Sequence, residues 1–112
     1  MGVTQTVSLL FTDLVGSTAL ATRLGPDEAD ALRREHFGIL RGAIARCEGE
    51  EVKNLGDGLM VAFDRVAAAV GCATAMQQDI ECRNRDAEPP LVARIGVAVG
   101  DAVCEEIGRA HV

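Results

Sequence analysis

Asp13 and Asp57 are the residues of this sequence whose surroundings could do chemistry, because each joins a carboxylate to glycine-containing backbone at the end of an apolar run. Phe11-Thr12-Asp13-Leu14-Val15-Gly16-Ser17-Thr18 follows Val7, Leu9 and Leu10, and Lys53-Asn54-Leu55-Gly56-Asp57-Gly58 leads into Leu59-Met60-Val61-Ala62-Phe63. The first segment reads as a buried strand entering a helix, with Gly16, Ser17 and Thr18 supplying small residues and a hydroxyl cap. Amides at such a helix start lack intrahelical partners and attract anions. The second reads as a hairpin that holds Asp57 at its tip, between Glu51-Val52-Lys53 and the apolar strand that follows. Two carboxylates on strand ends suit Mg²⁺, which takes one or two carboxylates and fills its octahedral shell with phosphate oxygens and water. Taken singly, Asp13 reads better as a capping or Asx-turn residue and Asp57 as a hairpin-turn aspartate.

The elements that must position these aspartates follow from periodicity. Ser17 to Leu24 predicts a short helix, and Gly25-Pro26-Asp27 breaks the chain before a longer helix capped by Asp27. Ala29, Leu32, His36 or Phe37, Leu40, Ala43, Ile44 and Cys47 recur at three- and four-residue steps, making one apolar stripe that stops at Glu48-Gly49-Glu50. After the hairpin, Asp64 is the expected cap of a third helix whose buried face is Val66, Val70, Ala73, Met76 or Gln77, and Ile80. A polar stretch from Arg83 ends at Pro89-Pro90, and Leu91 to Val99 reads as a strand. The order strand, helix pair, hairpin, helix, strand predicts an α+β fold, a ferredoxin-like antiparallel sheet with helices on one face.

Composition sets the outer bounds. With 112 residues, 48% hydrophobic and 25% charged, the chain suits one modest core, either one domain or part of one. A net charge of −6 and a pI near 4.8, with basic residues scattered, argue against a nucleic-acid partner. Cys47, Cys72, Cys82 and Cys104 form no Cys-x-x-Cys pair, so free thiols in a reducing cytosol are expected. No basic n-region leads an apolar stretch and no run reaches membrane-span length, so this segment is expected to be soluble and cytoplasmic, without membrane contact.

Both aspartate segments, in order and spacing, resemble the two metal-site motifs of the class III nucleotidyl cyclase catalytic domain, the adenylate/guanylate cyclase family. A third stretch, Leu91-Val92-Ala93-Arg94-Ile95-Gly96-Val97-Ala98-Val99-Gly100-Asp101-Ala102-Val103, resembles the family's strand after the third helix, so the likeness runs from about Ser8 to Val103. The resemblance implies two Mg²⁺ ions, or Mn²⁺ in their place, held by Asp13, Asp57 and the backbone carbonyl of Leu14. It implies phosphate binding by Val15, Gly16, Ser17 and Thr18, and in-line attack of the ribose 3′-hydroxyl on the α-phosphorus. Lys53, four residues before Asp57, matches the family's purine-selecting lysine, which implies ATP rather than GTP. It further implies a homodimer whose sites are shared between protomers.

The family's transition-state asparagine and arginine, and its second base-selecting residue, lie beyond the strand that here ends near Gly100 and have no match in this chain. No catalytic group beyond the metal ligands is therefore identifiable, and the 112 residues alone are expected to be inactive or nearly so. Residues 1–105 read as a partial cyclase domain. Residues 106–112 read as a non-family tail; Ile107 to Val112 resemble a translated sequencing adapter, so an adapter-encoded tail is expected ahead of the alternative, a natural and merely divergent one. The rival readings are a noncatalytic nucleotide-binding module of a signalling or transcriptional regulator, and a protein-interaction domain. Arg94 reads as an arginine on a strand's polar edge, and His36 as a packed or surface histidine.

Overall fold

A computed structural model describes the backbone of residues 3–104 and 110–111 and the side chains of residues 5–101. The expectation for the tail therefore falls largely outside the described residues. β-Branched and apolar residues, among them Thr6, Val7, Leu9, Leu10 and Phe11, dominate the first strand, β1 (Val3–Leu14), which is followed by α1 (Ser17–Leu24) and α2 (Pro26–Arg46). The hairpin strands β2 (Glu50–Asn54) and β3 (Leu59–Phe63) precede α3 (Val66–Asp86), β4 (Ala93–Cys104) and the two-residue β5 (Ala110–His111). The sheet order is β2-β3-β1-β4-β5, with antiparallel pairing throughout. Four strands in the order 2-3-1-4, crossed over by helices, make the ferredoxin-like α+β layer that the sequence predicts.

Register assigns the two faces. Leu10 lies opposite Val61, and Leu14 opposite Ala93, so these residues project toward the helices. There they join Leu32, Phe37, Leu40, Ala43 and Ile44 of α2 and Cys72, Met76 and Ile80 of α3 in one core. Fully burying a leucine such as Leu10 or Leu40 contributes about 1.5–3 kcal/mol. The other face carries Val7, Leu9, Phe11 and Asp13 of β1, Met60 and Ala62 of β3, and Arg94, Gly96 and Ala98 of β4.

Three local expectations are corrected. The buried face of α3 is Ala69, Cys72, Met76 and Ile80, whereas Val66 and Val70 are half-exposed. Small residues at 69 and 72 let the helix lie close to the sheet, and that closeness outweighs the larger side chains one position away. Neither Asp27 nor Asp64 caps a helix: α2 starts at Pro26 behind Gly25, and α3 starts behind Arg65. Proline at the first helical position is preorganised for a helix and needs no N–H partner, which sets the start of α2 two residues early. Lastly, β1 and β4 extend well past the apolar runs that revealed them, because each pairs along its length with the other.

Three side-chain bridges steady the elements around the site. Asn84 accepts from the Leu91 amide at 2.9 Å and donates to its carbonyl at 2.8 Å, copying a strand partner for the segment entering β4. Gln77 donates to the Ala93 carbonyl at 3.0 Å. Arg41 grips Glu51 through two bonds of 2.8 and 3.1 Å while lying over the Phe37 ring, and so fastens β2 to α2. That guanidinium holds the Glu51 carboxyl below its ordinary range.

Candidate metal and nucleotide site

The end of β1 and the tip of the hairpin are docked by backbone. The Leu14 amide donates to the Asp57 carbonyl at 2.9 Å, and the buried Thr12 hydroxyl accepts from the Leu59 amide at 2.9 Å. A Cβ added at Gly58 would stand 1.8 Å from the Thr12 carbonyl oxygen, so only glycine permits this approach. The hairpin itself is closed by Leu55 N–H to the Gly58 carbonyl at 2.8 Å and by an Asx turn, Gly56 N–H to Asn54 Oδ1, also at 2.8 Å. These contacts bring Asp13 and Asp57 to the same corner of the sheet.

Asp57 is half-buried and its Oδ2 accepts from the Ser17 hydroxyl at 2.8 Å, while Asp13 is exposed. The expected hydroxyl cap is thus absent. Gly16, in the left-handed region at φ 74°, precedes α1, and the Ser17 side chain is turned to Asp57 instead of back to its own helix. Leu20 N–H to the Gly16 carbonyl is the first turn's bond, so the amides of Ser17 and Thr18 ahead of it have no acceptor within the helix. Of the four expected phosphate donors Val15 is the exception, since its amide is committed to the Val92 carbonyl at 2.8 Å.

Lys53 reaches the face of Asp13 through a β-bulge. Between Glu51 and Lys53 the chain of β2 takes two steps against one on β3, so Lys53 lies opposite Met60, which in turn lies opposite Phe11. Regular pairing would have set Lys53 opposite Leu59, on the helix-covered face. Arg94 is the residue that sequence reasoning set aside: it lies directly opposite Asp13 in the β1–β4 register, on the same face. Beyond it, Gly96 has no heavy atom within 4 Å of where a Cβ would stand, which leaves clear space between Arg94 and Phe11. Thr12 was likewise missed, since a strand threonine carries no signal of a buried hydroxyl bond.

His36 lies completely buried on α2, and neither ring nitrogen has a hydrogen-bond partner among the described residues. Burial lowers its pKa, while the charges of Asp57 and Asp13 pull the other way. It is therefore a packed neutral ring beneath the two carboxylates.

Among the described residues no three His, Cys, Asp or Glu side chains gather as a closed metal cage. Two carboxylates beside free helix amides are instead the donor set of an open Mg²⁺ site completed by phosphate and water. The residues fit that ion.

These residues define an antiparallel ferredoxin-like domain with an acidic pair and a helix start at one corner of its sheet. The chain belongs to the adenylate and guanylate cyclase catalytic domain family, whose model matches residues 1–112. It is similar to adenylate cyclase 1 of Rhizobium meliloti, 25% identical over 115 residues covering 93% of this chain and 17% of that protein. It is also similar to the receptor-type adenylate cyclase GRESAG 4.3 of Trypanosoma brucei brucei, 39% identical over 74 residues, 66% of this chain and 6% of that protein. Among solved structures, the guanylyl cyclase Cya2 superposes with a TM-score of 0.84 at 28% identity, covering 97% of this chain and 62% of that one. The chain thus spans about a sixth of the length of the Rhizobium relative and less than two thirds of the solved domain.

Proposed function

We propose that this chain is the N-terminal part of an adenylate cyclase domain whose intact parent converts ATP to cyclic AMP and pyrophosphate. The observation that carries the reading is the bond from the Leu14 amide to the Asp57 carbonyl, which docks the end of β1 that carries Asp13 on the hairpin tip, where Asp57 accepts from Ser17 at the start of α1. Two bound Mg²⁺ ions, or Mn²⁺, would lower the pKa of the ribose 3′-hydroxyl and offset charge on the departing pyrophosphate. Asp13, Asp57 and the Leu14 carbonyl are the ligands we assign to them.

The chain's own residues supply the rest of this half-site. The Gly16, Ser17 and Thr18 backbone offers N–H groups to the triphosphate. Ser17 fixes the Asp57 carboxylate. Arg94, opposite Asp13, adds positive charge where the phosphates gather. Lys53 donates to an adenine ring nitrogen, which favours ATP over GTP. We further propose a homodimer in which Lys53 of one protomer and the aspartates of the other serve the same nucleotide. The 112 residues alone lack a match for the transition-state asparagine and arginine, and we expect them to be inactive, since one well-placed donor is worth about 10²–10³ in turnover.

No helix among the described residues is long and apolar enough to cross a membrane. A cytosolic setting, where ATP and Mg²⁺ are abundant, is the one we assign. The test is to express the full-length gene product and assay Mg²⁺-dependent formation of cyclic AMP from ATP and of cyclic GMP from GTP. Metal-dependent cyclic AMP formation is expected, and nucleotide binding without turnover would instead support a regulatory module.

A further inference from the structure

We propose that Cys47 and Cys72 are a redox-sensitive pair, which a low-molecular-weight disulfide converts to one intramolecular disulfide tying the end of α2 to α3. Ion pairs show how these helices lie: Glu35 meets Arg83 at 3.0 Å, and Arg46, near the other end of α2, meets Asp79. Later residues of α2 therefore pair with earlier residues of α3, so the helices are antiparallel. Continuing that pairing past Arg46 leads from Cys47, the C-cap of α2, to the part of α3 before Asp79 where Cys72 sits. Cys47 packs on the buried cluster that contains Cys72.

Their exposures divide the chemistry. Cys47 is half-buried and can meet a reagent from solvent, whereas Cys72 is fully buried and shielded from it. The Cys47 thiolate attacks one sulfur of the small disulfide, which breaks its S–S bond and expels one small thiol that carries away the proton. Cys72 then gives up its proton and attacks the Cys47 sulfur of the mixed disulfide, expelling the second small thiol. Two protein thiols are oxidised and one disulfide reagent is reduced to two thiols.

Burial first, and then the neighbouring Cys47, push the Cys72 thiol up to about 12, with Arg46 acting in the opposite direction. In the mixed disulfide Cys47 carries no charge, so the part of that rise due to a Cys47 thiolate disappears at the step that needs it. This orders the reaction, with Cys47 first and Cys72 second.

The bond would close a loop from Cys47 to Cys72 that contains the whole β2–β3 hairpin, and with it Lys53 and Asp57. Oxidation would thereby fix the root of the hairpin against α3. The sequence gives no hint of the pair, because the two cysteines are far apart in the chain and meet only when the helices pack.

The experiment uses the 112-residue chain with Cys82→Ser and Cys104→Ser, exposed under native conditions to glutathione disulfide, quenched in acid, and read by intact mass and peptide mapping. The expected product has lost two hydrogens, links the Cys47 and Cys72 peptides, and reverts with dithiothreitol. Adding Cys72→Ser should leave a stable glutathione adduct on Cys47. Should the background variant fold poorly, the unmodified chain is mapped for the same linked peptides. A chain that keeps both thiols, stops at the Cys47 adduct with Cys72 present, or links either cysteine elsewhere overturns the proposal. So does a Cys47–Cys72 bond that forms no faster in native buffer than in urea.

Discussion

Ser17 and Asp57, 40 residues apart in sequence, are joined by a hydrogen bond of 2.8 Å from the Ser17 hydroxyl to Asp57 Oδ2. The bond engages Oδ2 and helps orient the carboxylate, so in the proposed function Ser17 acts on metal binding through Asp57. Losing it should cost about 1 kcal/mol, or roughly fivefold in affinity. Ser17→Ala in the full-length protein is expected to raise the half-saturating Mg²⁺ concentration of the cyclase assay by about that factor. Ser17→Thr should restore it. An unchanged metal dependence in the alanine variant would remove Ser17 from this role.

Gly58→Ala should be among the more damaging single substitutions in the chain, because its methyl would meet the Thr12 carbonyl oxygen at 1.8 Å. Relief requires β1 and the hairpin to separate, which strains the Leu14–Asp57 and Thr12–Leu59 bonds together. A loss of about 3 kcal/mol or more is expected. Urea denaturation measures it, and a shift below experimental error would contradict the close docking.

Asp13→Asn and Asp57→Asn remove one negative charge each from the proposed metal ligands while keeping side-chain volume. In the full-length protein either should reduce turnover by about 10² or more with the urea midpoint nearly unchanged. Near-normal turnover in either variant would defeat the two-metal assignment.

Lys53→Glu should shift the ratio of kcat/KM for ATP and GTP toward GTP, because a carboxylate accepts from guanine N–H groups where the ammonium donated to adenine. A change of about 1–3 kcal/mol, roughly 5- to 150-fold in the ratio, is expected. Mixing Lys53→Ala and Asp57→Asn protomers should recover activity that neither shows alone. No recovery despite proven heterodimers would place Lys53 and Asp57 in one chain's site.

His36 should make stability sensitive to mild acid. Its folded pKa is lowered from 6.5 by burial, so above 6.5 the ring is neutral folded or unfolded and its contribution is fully present. As pH falls below 6.5 the unfolded chain takes up a proton that the folded chain refuses, and stability declines until pH passes the folded pKa. The slope approaches about 1.4 kcal/mol per pH unit from this one group. His36→Leu should flatten that part of the profile of urea midpoint against pH. A profile identical to the parent's would mean the ring titrates normally.

Much of this protein was legible in residue order alone, because local spacing records local structure. The stripe Leu32, Phe37, Leu40, Ala43 and Ile44 identified α2, glycines around Asp57 marked the hairpin, and three segments in order pointed to the cyclase family and its fold. Tertiary packing decided what depends on register and approach. Val66 and Val70 looked like the inner face of α3, yet Ala69 and Cys72 occupy it, since proximity of backbone to sheet and not side-chain size chose the face. Arg94 lies opposite Asp13, and Lys53 shares their face only because a bulge adds a residue to β2. A one-residue change of register turns every following side chain to the other face, and no local pattern encodes which register a distant strand will impose.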